Sequence, residues 1–444
     1  MSSQLTPIEL LQELIKIDTT NPPGDESGAA ELLKSYLVGA GLQARILSSP
    51  EGRPNLVARL EGPRDRCPLI LLSHTDVVAV EEESWSRDPF GGEAAQGCVW
   101  GRGALDMKGI AVMHAVAAAA LAGSGHDLTR EVIVLAVADE EAGGGQGARW
   151  LTEEHSQEVG LSDGTPPEVL GEGGYGLSGL LDRPLMPIVL GEKSTLWLSL
   201  HATGEPGHGS MPPPRQALHN LTAFVNDVAG RHNVRVHPVM REQFSGLADH
   251  VGGGRKTVFT LLASRMGNSF AKLVDKQMQK AGAVGQLLVD TVTPTQFSAG
   301  YKRNVVPGEA SAALDCRLLP DTDLEAFLSH LEKKASRRDV EIEVVIRESS
   351  PVSERTPLFD IISDVSRRVV KPNEGEPVIV PSLTAPMTDI RFYRARGAGG
   401  YGWAPLILSR ELLATIHGHD ERVPIADFER GVEAMAEVVR RAAG

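Results

Sequence analysis

Apolar residues Ile8, Leu11, Leu14 and Ile15 recur at helical spacing directly behind Thr6-Pro7-Ile8-Glu9, a capping box with proline at the first helical position. The pattern predicts a first helix from Pro7, broken by Asn21-Pro22-Pro23-Gly24, and a second over 29–40, with Gly41 placed to end it. Strand-like runs follow at 43–47, 55–60 and 68–72, then a small-residue helix at 110–122. A continuous apolar strand occupies 131–138 after its first residue, and 147–154 is helical again. Buried strands alternating with helices predict an α/β fold, a mixed, largely parallel sheet covered on both faces.

After 187–191 the texture changes. Segments 195–202 and 310–318 alternate apolar and polar residues like half-buried strands, with helical patterns at 216–229 and 324–336. This reads as a compact α+β insert over 194–349 within a catalytic domain formed by 1–193 and 350–444. Between its halves, residues 240–300 carry Gly252-Gly253-Gly254 and an amphipathic stretch at 270–281, more chain than a minimal insert needs.

Composition narrows the chemistry. The 444 residues include 58 acidic and 44 basic side chains, a formal charge of −14, which argues against nucleic acid or an anionic membrane as partner. No run approaches a membrane span, and the N-terminus lacks a signal-peptide pattern, so a cytoplasmic protein is expected. Cys67, Cys98 and Cys316 are widely spaced, form no CxxC, and read as small buried hydrophobes.

The polar residues that interrupt this pattern fall at strand ends. Ser73-His74-Thr75-Asp76 closes the strand before it, where open α/β sheets place ligands, and a histidine with an acid two residues on suits a metal ligand whose second nitrogen is held. On that evidence alone a structural or capping histidine is the more ordinary reading. Asp106 stands in the loop Gly101-Arg102-Gly103-Ala104-Leu105-Asp106-Met107-Lys108-Gly109, as a ligand or as the N-cap of the helix that follows. Asp139-Glu140-Glu141 ends the apolar strand, and three adjacent carboxylates there repel one another unless a multivalent cation or protonation compensates them. The following Gly143-Gly144-Gly145-Gln146-Gly147-Ala148 is no dinucleotide loop, because those acids oppose a pyrophosphate, and Gly254-Arg255-Lys256-Thr257 fails as a P-loop. Glu172 lies among glycines, and His417 and His419 lie near the C-terminus. Two imidazoles and three carboxylates make a donor set for two zinc, cobalt or manganese ions. The residues alone leave His417 and His419 as alternatives.

The order of these motifs resembles the dinuclear zinc metallopeptidase and amidohydrolase family that includes aminoacylase, carboxypeptidase G, acetylornithine deacetylase and succinyl-diaminopimelate desuccinylase. The carriers are Ser-His-Thr-Asp at 73–76, Gly-Arg-Gly-Ala-Leu-Asp-Met-Lys-Gly at 101–109, Asp-Glu-Glu at 139–141, Gly-Glu-Gly at 171–173, Gly-His-Gly-Ser at 207–210 and His-Gly-His-Asp-Glu at 417–421. The resemblance implies a zinc-exopeptidase-like fold with a lid and dimerisation insert. It implies that Asp106 bridges two divalent metal ions, that His74 and Glu172 hold one, and that Glu141 and His417 hold the other. Glu140 is then the general base, Asp76 orients His74, and the Asp106–Met107 peptide is cis. On the insert, His208 is expected to stabilise an oxyanion, that of the neighbouring subunit's site if the lid mediates a homodimer, while Asn304 and Arg317 grip a substrate carboxylate. The long 240–300 segment is similar to the larger-lid members, aminoacylase and yeast-type carboxypeptidase S. The implied reaction is hydrolysis of an amide beside a free carboxylate, foremost in an N-acyl amino acid. A carboxypeptidase or dipeptidase is the alternative, and a non-catalytic metal-binding protein a distant third.

Overall fold

The computed structural model describes residues 4–63, 65–161, 165–369 and 374–444. The first helix, Pro7–Ile15, begins as its sequence predicts: Thr6 Oγ1 accepts from Glu9 N–H while the Glu9 carboxylate accepts from Thr6 N–H at 2.8 Å. Such reciprocal capping satisfies two otherwise unpaired donors.

Strands assemble into a ten-stranded mixed sheet whose centre is parallel. Leu69–His74 lies between Val132–Val137 and Glu168–Gly171, parallel to both, with His74 opposite Val137 and Leu71 opposite Leu170. Strict alternation explains why both faces are covered. Leu69 and Leu71 join one hydrophobic cluster with helices Lys108–Gly123 and Ile425–Ala443, whereas Ile70 and Leu72 join another with Ala148 and Ile390. Because the three central strands run the same way, the residues after each of them meet at one edge.

A second, five-stranded antiparallel sheet orders Gly230–His232, Asp290–Ala299, Glu309–Leu318, Ser194–Thr203 and Val340–Glu348. Leu196, Leu198 and Leu200 alternate into a separate core with Ala312, Leu314 and Cys316, beneath helices Ala217–Val228 and Leu324–Ala335.

Two expectations change. The stretch 270–281 is broken into Gly267–Leu273, Asp275–Met278 and a final turn; the chain leaves helical geometry at Val274, where Arg231 Nη2 holds Asp275 Oδ1 at 2.7 Å. Of the cysteines only Cys316 is buried; Cys67 and Cys98 are half-buried, and all three are free thiols. Helix Pro238–Ala248 packs on strand Val378–Thr384 of the large sheet, where a Cβ on Gly246 would stand 3.1 Å from Val380 Cγ1. Among the described residues no helix is long and apolar enough to cross a membrane.

Candidate metal centre

Five segments converge at the carboxyl edge of the central strands. His74 ends its strand fully buried, and its Nδ1 lies 3.0 Å from the Asp76 backbone carbonyl and 3.5 Å from Asp76 Oδ1. Asp76 thus holds the ring chiefly through its main chain. Its carboxylate accepts instead from the N–H groups of Glu140 and Glu141, both at 3.1 Å, and from Asn21 Nδ2 at 2.9 Å. One buried aspartate therefore ties the His74 strand end to the acidic turn. Asp139 enters that turn in a left-handed conformation, φ 72°, and is pinned by Asn21, Arg53 and Gln146 N–H.

Asp106 is not a helix cap: the helix Lys108–Gly123 starts after Met107, and the Asp106–Met107 peptide is cis. Its loop is fastened by Glu421, whose Oε1 accepts from Leu105 N–H at 2.8 Å and Asp106 N–H at 3.1 Å. Glu421 Oε2 in turn accepts from Arg102 Nη1 at 2.7 Å, and Arg102 Nη2 donates to the Gly418 carbonyl at 2.9 Å. The loops bearing Asp106 and His417 are thereby clamped together.

Asp106 Oδ1 stands 3.4 Å from His74 Nε2, and Glu172 Oε2 stands 3.6 Å from the same nitrogen. On the other side His417 Nε2 lies 3.3 Å from Asp106 Oδ2 and 3.2 Å from Glu141 Oε1. His419 turns away toward Glu81, 3.3 Å from its carboxylate. The two triads His74–Asp106–Glu172 and Asp106–Glu141–His417 each keep their ligand atoms within 4.8 Å, as do His74, Glu140 and Glu141.

The residues fit divalent cations. Donors about 2.0–2.1 Å from one ion at tetrahedral angles stand about 3.3 Å apart, close to the 3.2–3.6 Å that separates each imidazole nitrogen from its two carboxylates. His74 Nε2 and Glu172 Oε1 are buried without a hydrogen-bond partner, a costly arrangement for groups with no other role. Electrostatics point the same way. Burial, reinforced by Glu172, pushes the Glu140 carboxyl well above its ordinary range, and burial pushes Glu172 up to about 8 against the opposing pull of His74. Hydrogen bonds to Asp106 and Glu141 raise His417 to about 10. A cluster this rich in carboxylate calls for compensating positive charge.

Asp389, absent from the sequence reading, lines the same small hollow as His74 and Glu172, with neither carboxylate oxygen hydrogen-bonded; burial raises it to about 7. Its only sequence signal is an acid shortly after a strand-like run. Asn21, Arg53 and Glu421 were likewise unassigned. The insert residues do not join the cluster. His208 is exposed, with Nδ1 2.7 Å from Ser210 Oγ, and it sits beside Asn304 on a two-stranded ribbon where Gly209 N–H donates to the Asn304 carbonyl at 2.9 Å. Arg317 is engaged by Asp315, Nε to Oδ1 at 2.8 Å, and donates to Thr195 Oγ1 at 3.0 Å.

The sequence matches the model of peptidase family M20/M25/M40 over residues 70–441. The chain belongs to this family. As an M20-type enzyme it is a hydrolase acting on amide or peptide bonds. Aminoacylase-1 of Sus scrofa is 29% identical over 443 residues, covering 97% of this chain and 94% of that protein. The N-fatty-acyl-amino acid synthase/hydrolase PM20D1 of Mus musculus is 26% identical over 396 residues, covering 84% and 74%. Among solved structures, the M20 metallo-carboxypeptidase Sso-CP2 from Sulfolobus solfataricus superposes with a TM-score of 0.77 at 19% identity, covering 98% of this chain and 99% of that one, and shares the fold.

Proposed function

We propose that this M20 enzyme is a metal-dependent amidohydrolase that releases the acyl group of N-acyl amino acids. The observation that carries the reading is Asp106, which turns one carboxylate oxygen to each of two donor pairs. In this reading His74, Asp106 and Glu172 hold one divalent ion, zinc by the mixed nitrogen and oxygen donors, and Asp106, Glu141 and His417 hold a second. Divalent cations there supply Lewis-acid polarisation of the scissile carbonyl and a water of lowered pKa.

The chain's own residues do the rest. Glu140, raised by burial and beside the cluster, accepts the proton of the attacking water and returns it to the leaving nitrogen. Asp76 keeps Glu140 and Glu141 in register with His74 through their backbone N–H groups. Residues 194–349 act as a lid over a catalytic domain of 1–193 and 350–444. Asn304 and Arg317 bind the substrate carboxylate, which for Arg317 means exchanging Asp315 for the ligand. His208, exposed on the insert and outside the donor groups of its own chain, serves the partner subunit's site in a homodimer as oxyanion donor. Three free thiols suit a cytoplasmic setting.

The near full-length likeness to aminoacylase-1 favours the acyl amino acid over a peptide. One screen of zinc-, cobalt- and manganese-loaded enzyme against N-acyl amino acids and dipeptides tests this. N-acyl amino acids are expected to be the better substrates by kcat/KM; preferential cleavage of dipeptides would make the enzyme an exopeptidase.

A further inference from the structure

The net charge of −14 conceals one segment of opposite sign. Residues 252–282 hold six basic side chains and a single acid, Asp275. That acid is already paired, its Oδ1 2.7 Å from Arg231 Nη2. Arg255, Lys256, Arg265, Lys272, Lys276 and Lys280 are all exposed, and none has an ion-pair or hydrogen-bond partner among the described residues.

Four of these cations share one edge. After helix Gly253–Ala263 the chain continues through Gly267–Leu273, Asp275–Met278 and a last turn. Val274 N–H donates to the Phe270 carbonyl at 3.0 Å and Met278 N–H to the Val274 carbonyl at 2.9 Å, which carries the helical period across the kink at Val274. Gly267, Ala271 and Met278 are buried, while exposed positions recur at 265–266, 268–269, 272–273, 276–277 and 279–280. Arg265, Lys272, Lys276 and Lys280 therefore line the outer edge, and at 3.6 residues per turn their spacing keeps them within an arc of about 80°. Met266 and Leu273, 65% and 78% exposed, flank the row. A lone exposed leucine is ordinary, but two large apolar side chains beside a row of unneutralised cations are the pattern of a helix lying at a lipid–water boundary.

We propose that this edge docks the enzyme on an anionic phospholipid surface, with the four cations among the headgroups and Met266 and Leu273 entering the margin of the hydrocarbon. Docking of this kind uses none of the metal ligands and does not depend on the reaction catalysed. Nucleic acid would match the charge, yet it offers no hydrocarbon to Met266 and Leu273, and the exposed positions of the edge include no aromatic ring on which a base could stack. The acidic remainder of the chain is repelled by the same surface, which turns this edge toward the lipid. Each Lys or Arg at such a surface contributes about fivefold in partitioning, so four give a preference for anionic over neutral vesicles on the order of a few hundredfold at low salt.

The test is cosedimentation of the full-length protein with phosphatidylcholine vesicles, with and without phosphatidylserine, at low and high salt. Wild type is compared with the double substitution Lys272→Gln and Lys276→Gln, and separately with Leu273→Ser. All three positions are exposed, and an unchanged thermal midpoint verifies the fold of each variant. Wild type should bind only the phosphatidylserine vesicles, and high salt, which screens the cations, should release it. The double substitution should weaken binding about 25-fold, and Leu273→Ser about fivefold or more. No binding to phosphatidylserine vesicles, or binding that the lysine substitutions leave unchanged, overturns the docking surface. Binding that Leu273→Ser leaves unchanged, or equal affinity for a single-stranded oligonucleotide, overturns the lipid assignment in favour of a general polyanion site.

Discussion

Asp106 and His417, 311 positions apart in sequence, approach to 3.3 Å because Glu421 holds both their loops, accepting from Asp106 N–H and pairing with Arg102, which donates to Gly418. Removing that carboxylate should loosen the side of the centre formed by Glu141 and His417. Glu421→Gln keeps the size but weakens the pairing with Arg102 and presents a competing amide N–H. Outer residues that orient ligands typically contribute about 10- to 100-fold in metal affinity, and a loss of that order is expected in a metal titration. Unchanged affinity with full occupancy would show that the clamp is dispensable.

Glu140→Gln should retain metal and fold but lose about 10²–10⁴-fold in kcat, since an amide accepts no proton. Metal content and turnover measured on the same preparation separate the two effects. Substantial residual turnover would move the base elsewhere.

Mixing His208→Ala with Glu140→Gln subunits tests sharing across a dimer. One intact site per heterodimer should restore up to half the activity of a wild-type site pair. With subunit exchange verified, no recovery would exclude the shared site, and near-normal turnover by His208→Ala alone would exclude a catalytic part for His208.

His114 is fully buried on helix Lys108–Gly123 with neither ring nitrogen hydrogen-bonded, and burial lowers its pKa to about 3. The unfolded chain takes up this proton first, near pH 6.5, so stability is full above that pH and falls between about 6.5 and about 3, by up to about 1.4 kcal/mol per unit. His114→Leu should remove that component. Thermal midpoints of the two proteins between pH 7 and 5 should converge or cross in favour of the variant; parallel curves would show that His114 is not the group responsible.

The fold was legible where burial imposes a period: the all-apolar runs ending at His74 and Val137 could only be central strands, and the donors that follow them fell at one edge because parallel strands share direction. Asp389 gave no comparable signal, being one acid in a loop. Asn21 and Arg53 act on Asp139 across 118 and 86 positions, a relation no local spacing encodes. Periodicity in 240–300 marked apolar faces without naming what they cover, so the packing on Val378–Thr384 emerged only from the tertiary structure.

The central claim is a pair of metal sites sharing Asp106. Crystals of enzyme reconstituted with zinc, examined by anomalous scattering at the zinc edge, test it directly. The account predicts two peaks, one among His74, Asp106 and Glu172 and one among Asp106, Glu141 and His417. A single peak, or metal bound away from Asp106, would contradict it.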